Sequence, residues 1–102
     1  LMAPSSTKVN TSAVASGTHL TAPATGWFFV ESPIGSQKSY GWLFLQDANS
    51  SMSKKSWGFQ SHTVHADFFV KKNTRVFLAY ENLQSAPTVT FYYAEGTKHE
   101  YS

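Results

Sequence analysis

The 102-residue chain carries 8 basic and 6 acidic residues for a net charge of +2, with charged residues at 14% and aromatics at 16%. That length suits one domain able to bury about two-thirds of its unfolded surface, and the low charge with many aromatics excludes a disordered chain. A small excess with lysines paired only at Lys54-Lys55 and Lys71-Lys72 falls short of a phosphate-tracking stripe, so nucleic acid is not expected as a partner.

Cysteine is absent, which removes both a disulfide framework and a thiolate metal site. No apolar run approaches the ~20 residues of a membrane-spanning helix, so no membrane insertion is expected. Leu1-Met2 lacks the regions of a signal peptide, and a leucine ahead of a methionine is what a piece of a longer protein or an expression scar would leave.

Residues 1–18 form a small, hydroxyl-rich lead-in with a candidate first strand at Lys8–Val14, ahead of a β domain over 19–102. Two-residue alternation then dominates. It predicts strands at His19–Thr21, Trp27–Ser32, Ser39–Gln46, Ser56–Gln60, Thr63–Val70, Thr74–Tyr80 and Thr88–Ala94. Proline, glycine, asparagine and serine clusters separate them, and Asp47–Ser53 is compatible with a helical turn. Several short strands at this spacing predict an all-β domain, a small antiparallel jelly-roll-like sandwich of about eight strands.

Several of these strands are apolar on both faces. Trp27 and Phe29 oppose Phe28 and Val30; Tyr40, Trp42 and Phe44 oppose Leu43 and Leu45; Val89, Phe91 and Tyr93 oppose Tyr92. Trp27, Phe29, Trp42, Val76, Leu78 and Phe91 are the expected core, which leaves Phe28 and Tyr92 on the outer faces. With no helix to cover that surplus, a homo-oligomer is expected to bury it.

Two segments near the ends add a resemblance. In Thr21-Ala22-Pro23-Ala24-Thr25-Gly26-Trp27, Pro23 fixes its own φ and Gly26 offers a backbone position without a Cβ, so the segment reads as turn into strand. In Phe91-Tyr92-Tyr93-Ala94-Glu95-Gly96, a bulky strand stops at a glycine. Together, over roughly residues 3–98, they resemble the small terminal module of phage and prophage tail fibres, bracketed by T-A-P-x-x-G-W and F-x-Y-A-E-G. The resemblance implies a homotrimer in the virion, at the distal end of a fibre. It implies a receptor-binding role, attaching the particle to a bacterial surface polysaccharide or outer-membrane protein. Asn73 departs from the expected pattern, standing where a glycine turn would follow Val70-Lys71-Lys72, and the serine-rich Asn49–Ser56 does not align with it.

Chemistry is weakly signalled. Ser61-His62-Thr63-Val64-His65-Ala66-Asp67 contains the residue types of a hydrolase triad, yet on a strand only His65 and Asp67 share a face and no nucleophile elbow accompanies them. A hydrogen bond between His65 and Asp67 on a polar sheet face is the plain reading. The four histidines show no zinc spacing, and the six acids offer no obvious glycosidase pair, so neither an enzyme nor a metal or other cofactor is expected.

Lys54-Lys55-Ser56-Trp57-Gly58-Phe59-Gln60 interleaves aromatics with lysine. It fits a strand with Trp57 and Phe59 in the core and lysine and serine in water, ahead of the alternative of a stacking platform. The candidate ligand-binding residues are Asn49, Lys54, Lys55 and Trp57 in the long polar excursion Asp47–Gln60. His62 and Tyr40, the latter closing the Ile34–Tyr40 loop, are secondary candidates. Asparagine and lysine would meet hydroxyl or anionic groups, and tryptophan would stack on a sugar. A carbohydrate-binding module of an extracellular enzyme is the competing expectation, separated by a monomeric mass; a small nucleic-acid-binding barrel would reveal itself by salt-dependent affinity for single strands.

Overall fold

The computed structural model describes residues 4–11 and 13–95. Eight strands follow in order: β1 (Pro4–Thr11), β2 (Thr18–Thr21), β3 (Gly26–Pro33), β4 (Tyr40–Asp47), β5 (Ser53–Phe59), β6 (Thr63–Val70), β7 (Arg75–Glu81) and β8 (Val89–Ala94). They form two four-stranded antiparallel sheets, ordered β1-β8-β3-β6 and β2-β7-β4-β5. Strand 1 pairs with 8, 2 with 7, 3 with 6 and 4 with 5, as when one long antiparallel hairpin is rolled into two layers. That is the jelly-roll order, and the expected all-β sandwich is the observed fold.

Clean alternation in one strand fixes the faces of its ambiguous neighbours. In β6, Val64, Ala66, Phe68 and Val70 are buried while Thr63, His65, Asp67 and Phe69 point outward. Directly paired residues share a face, and β3 pairs Phe28 with Phe68 and Val30 with Ala66. Phe28 and Val30 are therefore core, at 4% and 0% exposure. This corrects the expected assignment: Trp27 and Phe29 lie on the outer face, partly buried, and Phe28 is not a surface residue. The same logic places Trp42 outside. Leu45 pairs with Leu78 of β7, which puts Leu43 and Leu45 in the core and Trp42 and Phe44 on the outer face. Val76, Leu78 and Phe91 are buried as expected, and Tyr92 is on the outer face.

The two end motifs meet in space. Gly26 opens β3 and is paired on one side with Val70 and on the other with Tyr93. A Cβ there would lie 2.2 Å from the Tyr92 carbonyl oxygen and 2.6 Å from Phe91 Cζ. The Ala94 N–H donates to the Thr25 carbonyl at 3.0 Å. Gly96, where the second motif ends, and Ser12, within the candidate first strand, lie outside the described residues. The first strand itself runs over Pro4–Thr11 and pairs with β8.

Two connections differ from expectation or explain it. No helical turn forms after β4. The Asp47 carboxylate accepts from the Asn49 N–H at 2.9 Å and the Ser50 hydroxyl from the Met52 N–H at 3.1 Å, side chains competing locally for backbone donors. The chain then pairs at once as β5, so the expected polar excursion Asp47–Gln60 is a hairpin loop followed by an edge strand. At Asn73, φ is +71° and the N–H donates to the Ala22 carbonyl at 2.9 Å. Asparagine supplies the left-handed conformation for which glycine was expected.

Candidate functional site

Among the described residues, the exposed large aromatics Tyr40, Trp57 and Phe59 lie on the outer face of β2-β7-β4-β5. On β4 the outward row is Tyr40, Trp42, Phe44 and Gln46; on β5, paired directly to it, Phe59, Trp57, Lys55 and Ser53. Phe77 of β7 continues the face beside Gln46 and stands at 6.5 Å from Phe44, in an edge-on arrangement. His19 of β2 packs on the far side of Phe77 at 5.3 Å. Tyr40, Trp57 and Phe59 are 46%, 59% and 68% exposed. The core-strand reading of Trp57 and Phe59 is thus corrected. The β4 pairing turns both to the outside, because Leu43 and Leu45 hold the opposite face in the core.

Lys55 sits in the outward row of the edge strand β5, between Ser53 and Trp57 and opposite Phe44. Its Nζ lies 4.5 Å from the Trp42 ring centroid and 4.4 Å from that of Trp57, an ammonium held by two indoles. Among the described residues no carboxylate pairs with it. Tyr40 stands 6.0 Å from Trp57 with its ring tilted 36°.

The structure brings together only some of the sequence candidates. Tyr40, Lys55 and Trp57 form one patch. Lys54 has the opposite parity on β5 and reaches across the open side of the sandwich to Asp67 of β6, at 2.7 Å. That hydrogen bond, with the lysine charge, holds the Asp67 carboxyl below its ordinary range against a raising contribution from burial. His65, expected to bond Asp67, instead stands against Phe29 at 6.3 Å. His62 meets Phe59 edge-on at 6.2 Å, extending the patch at the Tyr40 end. Asn49 lies beyond the other end of β5, in the hairpin loop.

The loops divide accordingly. Ile34 N–H donates to the His62 carbonyl, Gly35 N–H to Asn82 and Gln84 N–H to Pro33, joining the β3–β4, β5–β6 and β7–β8 loops at one end. Gln60 adds a side-chain bond to the Ser36 carbonyl. Asn49 belongs to the opposite end, where Ala48 N–H donates to the Arg75 carbonyl.

Sequence reasoning missed Trp42, Phe44 and Phe77 as members of the face. The signal was present: a strand pair through Asp47–Met52 puts Trp42 beside Trp57, and the apolar parity of β7 decides which side is in.

The outer face of β1-β8-β3-β6 is the second aromatic surface. Trp27 packs edge-on against Phe69 at 5.2 Å, and Phe29 against Tyr92 at 6.4 Å. Pro4, Trp27, Phe29, Asp67 and Tyr92 line a mainly apolar depression of about 360 Å³. Among the described residues no three histidine, aspartate or glutamate side chains come together as a metal site. No protein-family model matches this sequence, and no curated protein matches it.

Proposed function

We propose that this chain is the receptor-binding tip of a phage or prophage tail fibre, a homotrimer that attaches the particle to a bacterial surface glycan and acts by binding without chemistry. The observation that carries the reading is the exposed aromatic face of β4 and β5. Tyr40, Trp57 and Phe59 present broad ring surface on rigid, paired strands. Apolar ring faces beside hydroxyl-bonding groups suit sugar residues, whose own faces carry C–H groups and whose rims carry hydroxyls. The tail-fibre assignment rests on the resemblance of the two end motifs, whose segments pack together at Gly26 and Phe91.

The second face supplies the assembly. Trp27, Phe29, Phe69 and Tyr92 form a partly buried apolar surface on a sheet that no helix covers among the described residues. Packed around a threefold axis, this face would leave the β4–β5 faces pointing outward, three to a particle tip. Weak single sites then gain through effective concentration.

Light scattering and cell binding test the reading together. The expected mass is three times the 11.3 kDa of the chain, and the expected trimer is retained on its host's cells until surface polysaccharide is stripped. A monomer that binds soluble polysaccharide would instead favour a carbohydrate-binding module. A trimer indifferent to glycan removal would point to a protein receptor.

A further inference from the structure

Lys55 raises a difficulty for any ligand that stacks on Trp57. Its ammonium already occupies the ring surface, within 4.5 Å of the centroids of both Trp42 and Trp57. A sugar approaching that indole face must move the lysine aside and forfeit both cation–ring contacts. A neutral sugar offers the displaced ammonium only hydroxyls in exchange. A sugar bearing a carboxylate offers a counter-charge next to the ring it stacks on, and among the described residues Lys55 has no carboxylate of its own. Selectivity is a difference between two binding free energies, and here one side chain acts on both, opposing either ligand by the contacts it gives up and compensating only the acidic one.

We propose that Lys55, bracketed by Trp42 and Trp57, is a displaceable plug that makes the β4–β5 face selective for acidic sugar residues, pyranose rings carrying a carboxylate. The inference rests on the glycan-binding reading and names the ligand class within it. Its neighbour Lys54 takes no part, being turned to the opposite side and paired with Asp67. Arg75 lies on the same outward face of the sheet, two pairings along from Phe77, and adds positive potential without touching the indoles. A single lysine on the indoles also argues against a nucleic-acid strand, which needs cations repeated along the phosphates.

The experiment uses a panel of uronate-containing bacterial capsular polysaccharides, each paired with its carboxyl-reduced form, so that ring and linkage stay and only the charge goes. Binding of the full chain and of Lys55→Gln is measured by biolayer interferometry, with oligo(dT) as a further probe. Both members displace the lysine alike, so the wild-type protein is expected to prefer the acidic member of its best pair by about two- to fivefold, the scale of one exposed ammonium–carboxylate pair. In Lys55→Gln the two affinities should converge: the preference for the acidic form is lost, and the reduced form, freed of the displacement, binds more tightly. A lysine that merely keeps the edge strand soluble would not produce that convergence. Equal wild-type affinity within pairs, or a variant that weakens both members alike, overturns the plug and leaves glycan binding standing. Tighter binding to oligo(dT) than to any polysaccharide overturns it in favour of nucleic acid. If no polysaccharide binds in either form, the glycan reading fails and the plug with it.

Discussion

Gly26→Ala tests whether the two end motifs are coupled by contact. Gly26 sits in a central strand, bonded to β6 on one side and β8 on the other, so its backbone cannot drift. The added methyl would meet the Tyr92 carbonyl oxygen at 2.2 Å and Phe91 Cζ at 2.6 Å. The ring could turn, but the carbonyl belongs to the β8 backbone and can move only with its strand. Overpacking of this kind costs ~1–3 kcal/mol and more when backbone must shift, which places Gly26→Ala at ~3 kcal/mol. The alanine recovers ~0.4–1 kcal/mol by restricting the unfolded chain, leaving a net loss of ~2–3 kcal/mol. At ~4–8 °C per kcal/mol for a domain of this size, Tm should fall by ~10–20 °C. Gly35→Ala is the control, because its nearest heavy atoms are 3.4 and 3.5 Å away. It should melt with the wild type or slightly above it. Thermal unfolding followed by near-ultraviolet circular dichroism gives both values. If Gly26→Ala melts within ~3 °C of the wild type, less than the shift for 1 kcal/mol, the glycine is not required by close approach and the coupling argument is wrong.

The face assignment in β3 is checked by urea unfolding. Phe28→Ala should cost ~3–5 kcal/mol and Phe29→Ala distinctly less, and the reverse order would overturn it. The Lys54–Asp67 pair, 51% and 45% exposed, should contribute well under ~1 kcal/mol. Because the folded carboxyl is held below its ordinary value, that contribution is present above pH ~4 and lost as pH falls through the lower folded value. Asp67→Asn should therefore be slightly less stable than the wild type at pH 6 and indistinguishable from it in strong acid; a gap that widens towards acid would contradict the pairing. Phe69→Glu places a charge on the face assigned to the threefold contact, and sedimentation should then report a monomer with an unchanged β spectrum. A trimer that survives the substitution would move the interface elsewhere.

Strand positions were largely legible because hydrophobic alternation and turn residues are local signals. Thr63–Val70 was read with its observed ends, since it alternates without ambiguity. The start of β5 was not, because Ser53, Lys54 and Lys55 look like a loop until β4 supplies their hydrogen bonds. The first strand was displaced for the same reason: its residues are small and polar, and its pairing with β8 joins the two ends of the chain. Faces were harder than strands. Where both parities are apolar, as in β3 and β4, alternation alone does not choose the buried side, whereas pairing with β6 and β7 settles it. A core between two sheets about 10 Å apart takes Phe28, Leu43 and Leu45 and leaves the tryptophans outside. The candidate site suffered from adjacency. Lys54 and Lys55 are neighbours in sequence, yet one ties β5 to β6 and the other sits on the indoles.

The most direct measurement is retention of the purified protein and of Trp57→Ala on an array of bacterial surface polysaccharides. Trp57 is 59% exposed, so its removal should leave the oligomer and the β fold in place. Ring stacking on an aromatic is worth ~1–3 kcal/mol, so the variant should lose about fivefold or more in affinity on every glycan that holds the wild type. Equal retention of the two proteins, or a wild-type protein retained on no glycan, would contradict the assignment of the β4–β5 face as the receptor site.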